Sequence, residues 1–223
     1  MPLQSIVSDD SPICLVGGAR ISGAVFERAR SFCKKVVAVD SGADFLLQRD
    51  IGPEVVLGDL DSLSDEARGV FADRLCLISE QSTTDFEKAV MRVRAPCLLA
   101  LGFTGGRMDH LLSVLNVIVR YPDQPVVLVD EDDASFVAAA GTTSLELGAG
   151  TRISVMPVGG ARAVTLQGVV WPFADQPMRL DGFTSPSNAA SGGIVTLATS
   201  DPVLVTLPRE QLAAALKAAV RAG

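Results

Sequence analysis

Two aspartates separated by a single leucine stand after a short apolar run in Gly58-Asp59-Leu60-Asp61-Ser62. In an extended segment, side chains at i and i+2 share one side, so Asp59 and Asp61 would present two carboxylates together while Leu60 turns to the core. Adjacent like charges are costly unless something positive lies between them, and a hard divalent cation taking oxygen ligands meets that need. The competing reading is an acidic turn that caps a helix starting near Ser64. Further on, Ser82-Thr83-Thr84-Asp85-Phe86-Glu87-Lys88-Ala89 opens a helix, with Thr84 and Glu87 at capping-box spacing. Asp85 and Lys88 are three apart and share a helical face. They are either a first-turn acid and a solvated cation, or a pair that serves a metal or hydroxyl and a phosphate oxygen.

Gly102-Phe103-Thr104-Gly105-Gly106-Arg107-Met108-Asp109-His110 follows another apolar run and precedes an apolar helix through Asn116. Gly105 and Gly106 let backbone approach a ligand closely, and N–H groups of a loop entering a helix favour anions. Arg107 adds a planar, permanent charge suited to phosphate. Asp109 is open between a helix N-cap and a further carboxylate beside the Asp59 and Asp61 pair. His110 is the only histidine, which rules out a zinc site built on two imidazoles and reads as a structural hydrogen-bonding residue. There is no G-x-x-x-x-G-K-[ST], and no G-x-G-x-x-G follows the first run. Asp40-Ser41-Gly42-Ala43-Asp44 is a turn leading to a helix, with Asp44 as a cap or a binding group. Glu131-Asp132-Asp133 reads as a solvated acidic loop. Trp171, the single tryptophan, is either core or a platform for a flat heteroaromatic ring, and Ser187-Asn188 lies in a polar turn.

The elements that must position these residues are legible as short runs: Ile13 to Val16, Val36 to Val39, Val55 to Leu57, Leu75 to Ile78, Cys97 to Leu101 and Val126 to Val129. Continuous apolar runs separated by helical patterns predict a parallel sheet with helices on both faces. In such sheets ligands sit outside the carboxyl ends of the strands, where nearly all the reactive residues of the first half fall. After about Asp133 the runs shorten and partly alternate: Ser144 to Leu147, Arg152 to Met156, Ala163 to Leu166, Met178 to Leu180, Gly193 to Ala198 and Val203 to Leu207. They predict a smaller antiparallel β-sandwich of jelly-roll type, closed by a helix over Arg209 to Arg221. The expected domains are therefore 1–133 and 134–223.

The 223 residues are 48% hydrophobic and 20% charged, which suits an ordinary globular protein with a sizeable core and disfavours disorder, collagen or coiled coil. A net charge of −7 disfavours nucleic acid as a partner. No apolar run reaches a membrane span, and Met1 to Asp10 lacks the basic start of a signal peptide. Four scattered cysteines without a C-x-x-C pair read as small buried hydrophobes in a reducing cytoplasm.

Taken in order, the Asp40-Ser41-Gly42-Ala43 turn, Pro53 to Ser62, Thr84-Asp85 to Lys88-Ala89, Gly105 to His110 with Asn116, Gly168 to Pro172 and Ser187-Asn188 resemble the thiamine pyrophosphokinase family. Each motif is weak alone; their order and spacing from about Ile13 to Leu207 are specific. The resemblance implies an α/β domain for ATP and Mg2+ followed by a β-sandwich for thiamine, working as a homodimer with active sites near the subunit interface. It implies transfer of the diphosphoryl group of ATP to the hydroxyethyl oxygen of thiamine, giving thiamine diphosphate and AMP. Matched by position, Asp59, Asp61 and Asp85 look like the magnesium and triphosphate carboxylates, with Asp40 and Asp109 as further acids of the same cleft. Asp85 or Asp109 would orient or accept the hydroxyl proton. Gln81, Lys88 and Arg107 look like phosphate contacts, alongside Gly105 and Gly106. Ser187 and Asn188 resemble thiamine-side residues, and Trp171 resembles an aromatic that stacks on thiamine from the partner subunit. Ser41 stands where glycine is common, and Ser82-Thr83 stand where acids are common. A metal-dependent phosphohydrolase and a non-catalytic nucleotide or thiamine sensor are the alternative readings.

Overall fold

Apart from Leu75–Leu77, whose last residue is exposed, the unbroken apolar runs of the first half are buried on both faces with no polar side to show water, and they form a parallel sheet. The structure is a computed structural model that describes residues 5–222. Met1–Gln4 and Gly223, which the expected domain bounds include, lie outside the described residues, as does part of the Met1 to Asp10 stretch. The chain divides into a first unit running to Val117 with Leu128–Glu131, and a second of Ile118–Val127 with Asp132 onward.

In chain order the first unit holds β1 (Val7–Ser8), β2 (Ile13–Val16), α1 (Gly23–Arg30), β3 (Lys35–Val39), α2 (Gly42–Leu47), β4 (Val55–Gly58), α3 (Asp65–Val70) and β5 (Leu75–Leu77). Then come α4 (Asp85–Arg92), β6 (Val93–Arg94), β7 (Leu98–Leu101), α5 (Met108–Arg120) and β8 (Val126–Val129), the last two crossing the unit boundary. The spatial order β8-β7-β2-β3-β4-β5 places β2 where the chain reverses direction across the sheet. From β2 the strands step outward to β5, then return to β7 on the other side of β2. That reversal opens a crevice at the strand ends, because neighbouring connections leave in opposite directions.

Local chemistry sets the helix starts. Ser22, Ser64 and Thr84 each turn a side-chain oxygen onto an otherwise orphaned N–H of α1, α3 and α4: Val25 at 3.3 Å, Ala67 at 3.1 Å and Glu87 at 3.2 Å. Each cap is worth about 1 kcal/mol. The acidic turn therefore does lead into a helix capped by Ser64. Glu131 is exposed, as a solvated loop acid would be, and it also accepts from the Ser22 N–H at 2.6 Å and the Ser22 hydroxyl at 2.9 Å. Asp133 likewise opens a strand and pairs with Arg152.

The second unit contains β9 (Asp133–Ala138), β10 (Gly141–Leu147), β11 (Arg152–Pro157), β12 (Ala161–Gln167), β13 (Phe173–Met178), β14 (Ser185–Ala189), β15 (Gly193–Thr199) and β16 (Val203–Pro208). A short 3-10 turn, Arg209–Gln211, then leads to α6 (Leu212–Ala222). Antiparallel order β10-β15-β12-β13 makes one sheet, and β14-β11-β16-β9 are consecutive antiparallel neighbours. Alternate residues such as Leu145, Leu147, Val195, Leu197, Val203 and Val205 are buried, as inner faces of a sandwich require. Two strands escape the run pattern. In β9, serine and aspartate take the half-exposed positions of an alternating strand. In β14, Ser-Pro-Ser-Asn-Ala is built of turn residues, and a proline is tolerated because the strand pairs only with β11, across a register shift. The strand expected at Met178 to Leu180 instead ends at Met178, leaving Leu180 exposed.

Two of the four free cysteines, Cys14 and Cys97, are buried; Cys33 and Cys76 are half-buried. Among the described residues, no helix is long and apolar enough to cross a membrane.

Candidate active site

An open cleft of about 640 Å³ lies at the carboxyl ends of β2, β3, β4 and β7. Its lining includes Gly17 and Gly18 after β2, Asp40 and Ser41 after β3, and Gly102 after β7. Gly42 makes this possible, since a Cβ there would strike the Val16 carbonyl, so only glycine lets α2 start directly against the end of β2.

Three carboxylates meet here. Asp40, Asp59 and Asp61 each offer an oxygen, all within 4.8 Å of one another. Asp40 sits at φ +48° and Leu60 at φ +62°, left-handed conformations that side chains other than glycine adopt at a cost. Leu60 therefore breaks the extended backbone just after β4, and the expectation that Asp59 and Asp61 share one side of an extended strand end is corrected. Leu60 is buried as expected, and the Arg68 guanidinium holds its carbonyl at 2.6 Å. Asp44 serves that loop too, accepting from the Ser64 hydroxyl and N–H, and does not line the cleft.

The electrostatics of the trio are uneven. Burial pushes the Asp40 carboxyl up, the Ser41 N–H opposes this, and the carboxylates of Asp85, Asp61 and Asp59 raise it further. Its Oδ1 is buried without a hydrogen-bond partner. Burial also pushes Asp59 upward, but the Asp61 N–H, the Lys88 ammonium and the Gln81 amide outweigh it and hold the carboxyl below its usual range. An orphaned buried oxygen beside two further carboxylates is a donor set that suits a hard divalent cation.

Asp85 lines the cleft but stands outside the trio. Its Oδ1 accepts from the Asp59 N–H at 3.1 Å and from the Lys88 ammonium at 2.9 Å. Lys88 is fully buried, so neither a solvated cation nor a residue of the cleft wall describes it. Gln81 lines the cleft and reaches Asp59 Oδ2 at 3.4 Å. Gly105, Gly106 and Arg107 also line the cleft. Asp109 falls in the first turn of α5, not at its cap, and pairs with Arg107 at 2.6 Å on the open surface. It does not join the trio.

Residues the motifs did not single out also line the cleft, notably Phe86 and Phe103, whose rings meet at 4.7 Å. Each directly follows a residue already of interest, Asp85 and Gly102. His110 and Ser113 of α5 join them, so the lone histidine is a cleft residue. In the second unit Trp171 is 63% exposed, which excludes the core reading. Its N–H donates to Asn188 Oδ1 at 3.3 Å, and Asn188 Nδ2 donates back to its carbonyl at 2.8 Å. Buried Asn188 thus holds the backbone under an exposed indole. Ser187, at φ +56°, is tied through its N–H to Ser154 Oγ at 3.0 Å.

Residues 26–128 match the family model described as thiamin pyrophosphokinase, catalytic domain, and residues 142–204 match thiamin pyrophosphokinase, vitamin B1 binding domain. The chain belongs to the thiamine pyrophosphokinase family. Membership makes it an enzyme, a transferase of the thiamine diphosphokinase type. Thiamine pyrophosphokinase 2 of Arabidopsis thaliana is 29% identical over 182 residues, covering 73% of this chain and 68% of that protein. The solved thiamin pyrophosphokinase from Geobacillus thermodenitrificans is 27% identical, with TM-score 0.74 over 88% of this chain and 96% of that one. The fold is also that of the Candida albicans thiamin pyrophosphokinase, at TM-score 0.76 and 17% identity over 92% and 93% of the two chains.

One pH effect arises in the loop that leads into α4. Glu80 accepts from the Ser82 hydroxyl at 2.6 Å and N–H at 2.9 Å, and from the hydroxyl and N–H of Thr83. These bonds, those of Ser82 first, lower its carboxyl from 4.5 to about 2. The folded value lies below the unfolded one, so the contribution to stability is present above 4.5 and is lost as pH falls towards 2. An NMR titration should place the Glu80 midpoint near 2; an ordinary midpoint near 4.5 would show that the loop is not held this way.

Proposed function

We propose that the cleft of the first unit binds ATP together with Mg2+, and that the enzyme transfers the diphosphoryl group to the hydroxyethyl oxygen of thiamine, releasing AMP. The observation that carries this is the partnerless Asp40 Oδ1 beside Asp59 and Asp61 in a cleft at the sheet's reversal point. Asp59, Asp61 and Asp40 would hold the cation, which when bound supplies positive charge to the triphosphate oxygens. Arg107, with Gly105 and Gly106, faces the phosphates across the cleft, and the loop N–H groups favour their charge. Gln81 orients Asp59. Charge develops on the departing AMP oxygen as the thiamine oxygen attacks the β-phosphorus, so positioning and electrostatics do most of the work.

Thiamine is assigned to the second unit, with Trp171 as stacking surface and Ser187 and Asn188 shaping the ledge beneath it. The exposed indole on an anchored backbone supports this. Exposed Val170, Trp171, Leu180 and Ile194 support a homodimer, and light scattering should return twice 23.3 kDa. Four free thiols support a cytoplasmic location.

Incubation with ATP, Mg2+ and thiamine should yield AMP and thiamine diphosphate; ADP as the nucleotide product would refute diphosphoryl transfer. Trp171→Ala should raise the thiamine KM about tenfold with little change in kcat, the loss of one stacking contact. An unchanged KM would place the thiamine site elsewhere.

A further inference from the structure

We infer that the Ser41 side chain is a direct phosphate contact of this chain: its hydroxyl donates to a phosphoryl oxygen of the polyphosphate in the cleft, and Gly18 leaves it room to do so. The inference rests on the reading above that the cleft takes a triphosphate together with a divalent cation. Five hydroxyl side chains line the cleft, those of Ser41, Ser62, Thr83, Thr84 and Ser113. Three are committed to neighbours. Ser62 donates to Asp61 Oδ1 at 2.9 Å, Thr83 donates to Glu80, and Thr84 accepts from the Glu87 N–H at 3.2 Å. The Ser41 and Ser113 hydroxyls take no partner among the described residues. Of these two, Ser41 directly follows the acid whose buried Oδ1 is orphaned.

No structural task accounts for the Ser41 hydroxyl. It stands at the start of α2 yet makes no capping bond, and its backbone at φ −60°, ψ −6° is right-handed and open to any residue, so the turn does not need a serine. Its position is nevertheless defined. A Cβ on Gly18 would strike Ser41 Oγ and come within 3.4 Å of its Cβ, so the hydroxyl lies over the Gly18 backbone where the ends of β2 and β3 meet. Asp40, Asp59 and Asp61 beside it can only accept when ionised, and the Ser41 N–H is already directed at the Asp40 carboxyl. The hydroxyl is the donor that Ser41 has left. A cation held by the trio brings anionic phosphoryl oxygens with it, and a hydroxyl donating to such an oxygen forms a charge-assisted bond, stronger than one between neutral groups.

Isothermal titration of the full chain with inorganic tripolyphosphate and with ATP, each with Mg2+ and without thiamine, tests this with no turnover. Ser41→Ala should lose about tenfold in affinity for both ligands, the scale of one charge-assisted bond. Its Tm should stay within about 2 °C, because the hydroxyl supports nothing in the protein; a fall of more than about 5 °C would make the role structural and overturn the inference. Loss for ATP alone would move the contact to the nucleoside, and unchanged affinity for both would leave the hydroxyl without a ligand; either result overturns it. A loss that saturating Mg2+ repairs would put the hydroxyl on the cation, with the same consequence. Gly18→Ala should match the loss in Ser41→Ala, and the two losses should not add in the double variant, since each removes the same bond. Additive losses would overturn the pairing of Gly18 with Ser41. If the unaltered protein binds neither ligand with Mg2+, the polyphosphate reading of the cleft fails, and this inference with it.

Discussion

Asp61→Asn is expected to bind thiamine nearly normally and to lose AMP formation by a factor of about 10² to 10³, the scale seen when one electrostatic stabiliser of a transition state is removed. Asparagine has the size of aspartate and keeps an oxygen for the Ser62 hydroxyl, which donates to Asp61 Oδ1 at 2.9 Å. The side chain is exposed and supports no buried neighbour, so folding should be unaffected. What is lost is one of three negative oxygens gathered within 4.8 Å. The assay follows AMP by chromatography. Thiamine binding can be followed in parallel through Trp171, the only tryptophan and an exposed one. Full turnover in this variant would remove Asp61 from the metal site, and a parallel loss of thiamine binding would mean that the trio is not a separate subsite.

Gly42→Ala should be the most damaging change outside the carboxylates. Gly42 is buried, and an added methyl would collide with the Val16 carbonyl and approach the Gly17 backbone at 3.1 Å. Both obstacles are main chain, at the last residue of β2 and the one after it, so no side chain can swing away. Overpacking of this kind costs about 3 kcal/mol, which corresponds to a fall in Tm of roughly 10 °C for a chain of this size. Because α2 must retreat, the Asp40–Ser41 turn moves with it, and Mg2+-dependent activity should fall even below the melting temperature. Calorimetry on both proteins checks the first part; an unchanged Tm would mean that α2 tolerates a wider spacing from β2.

The two predictions draw on different levels of legibility. The parallel strands were readable because burial on both faces demands uninterrupted apolar residues: Ile13–Val16 and Val126–Val129 match their runs residue for residue. The helix starts were readable because caps act within three residues, as Ser64 and Thr84 do. Strand β14 was hidden because its pairing, not its composition, makes Ser-Pro-Ser-Asn-Ala extended. Phe86 and Phe103 were hidden because helix α4 and the β7 loop meet only in three dimensions.

At the site, the residue types and their order were enough to name the family and to nominate Asp40, Asp59, Asp61, Asp85 and Arg107, since strand-end placement is a local property. Which carboxylates meet, and which way each charge faces, belonged to the tertiary structure alone. Left-handed backbone at Leu60, not strand alternation, brings Asp59 and Asp61 together, and the β3 turn adds Asp40 from 19 residues upstream of Asp59. A lysine at i+3 on a helix reads the same whether it faces water or the core. Only the packing of α4 against β4 buries Lys88 beneath the acids, because a spacing along the chain specifies a helical face but not what that face lies against.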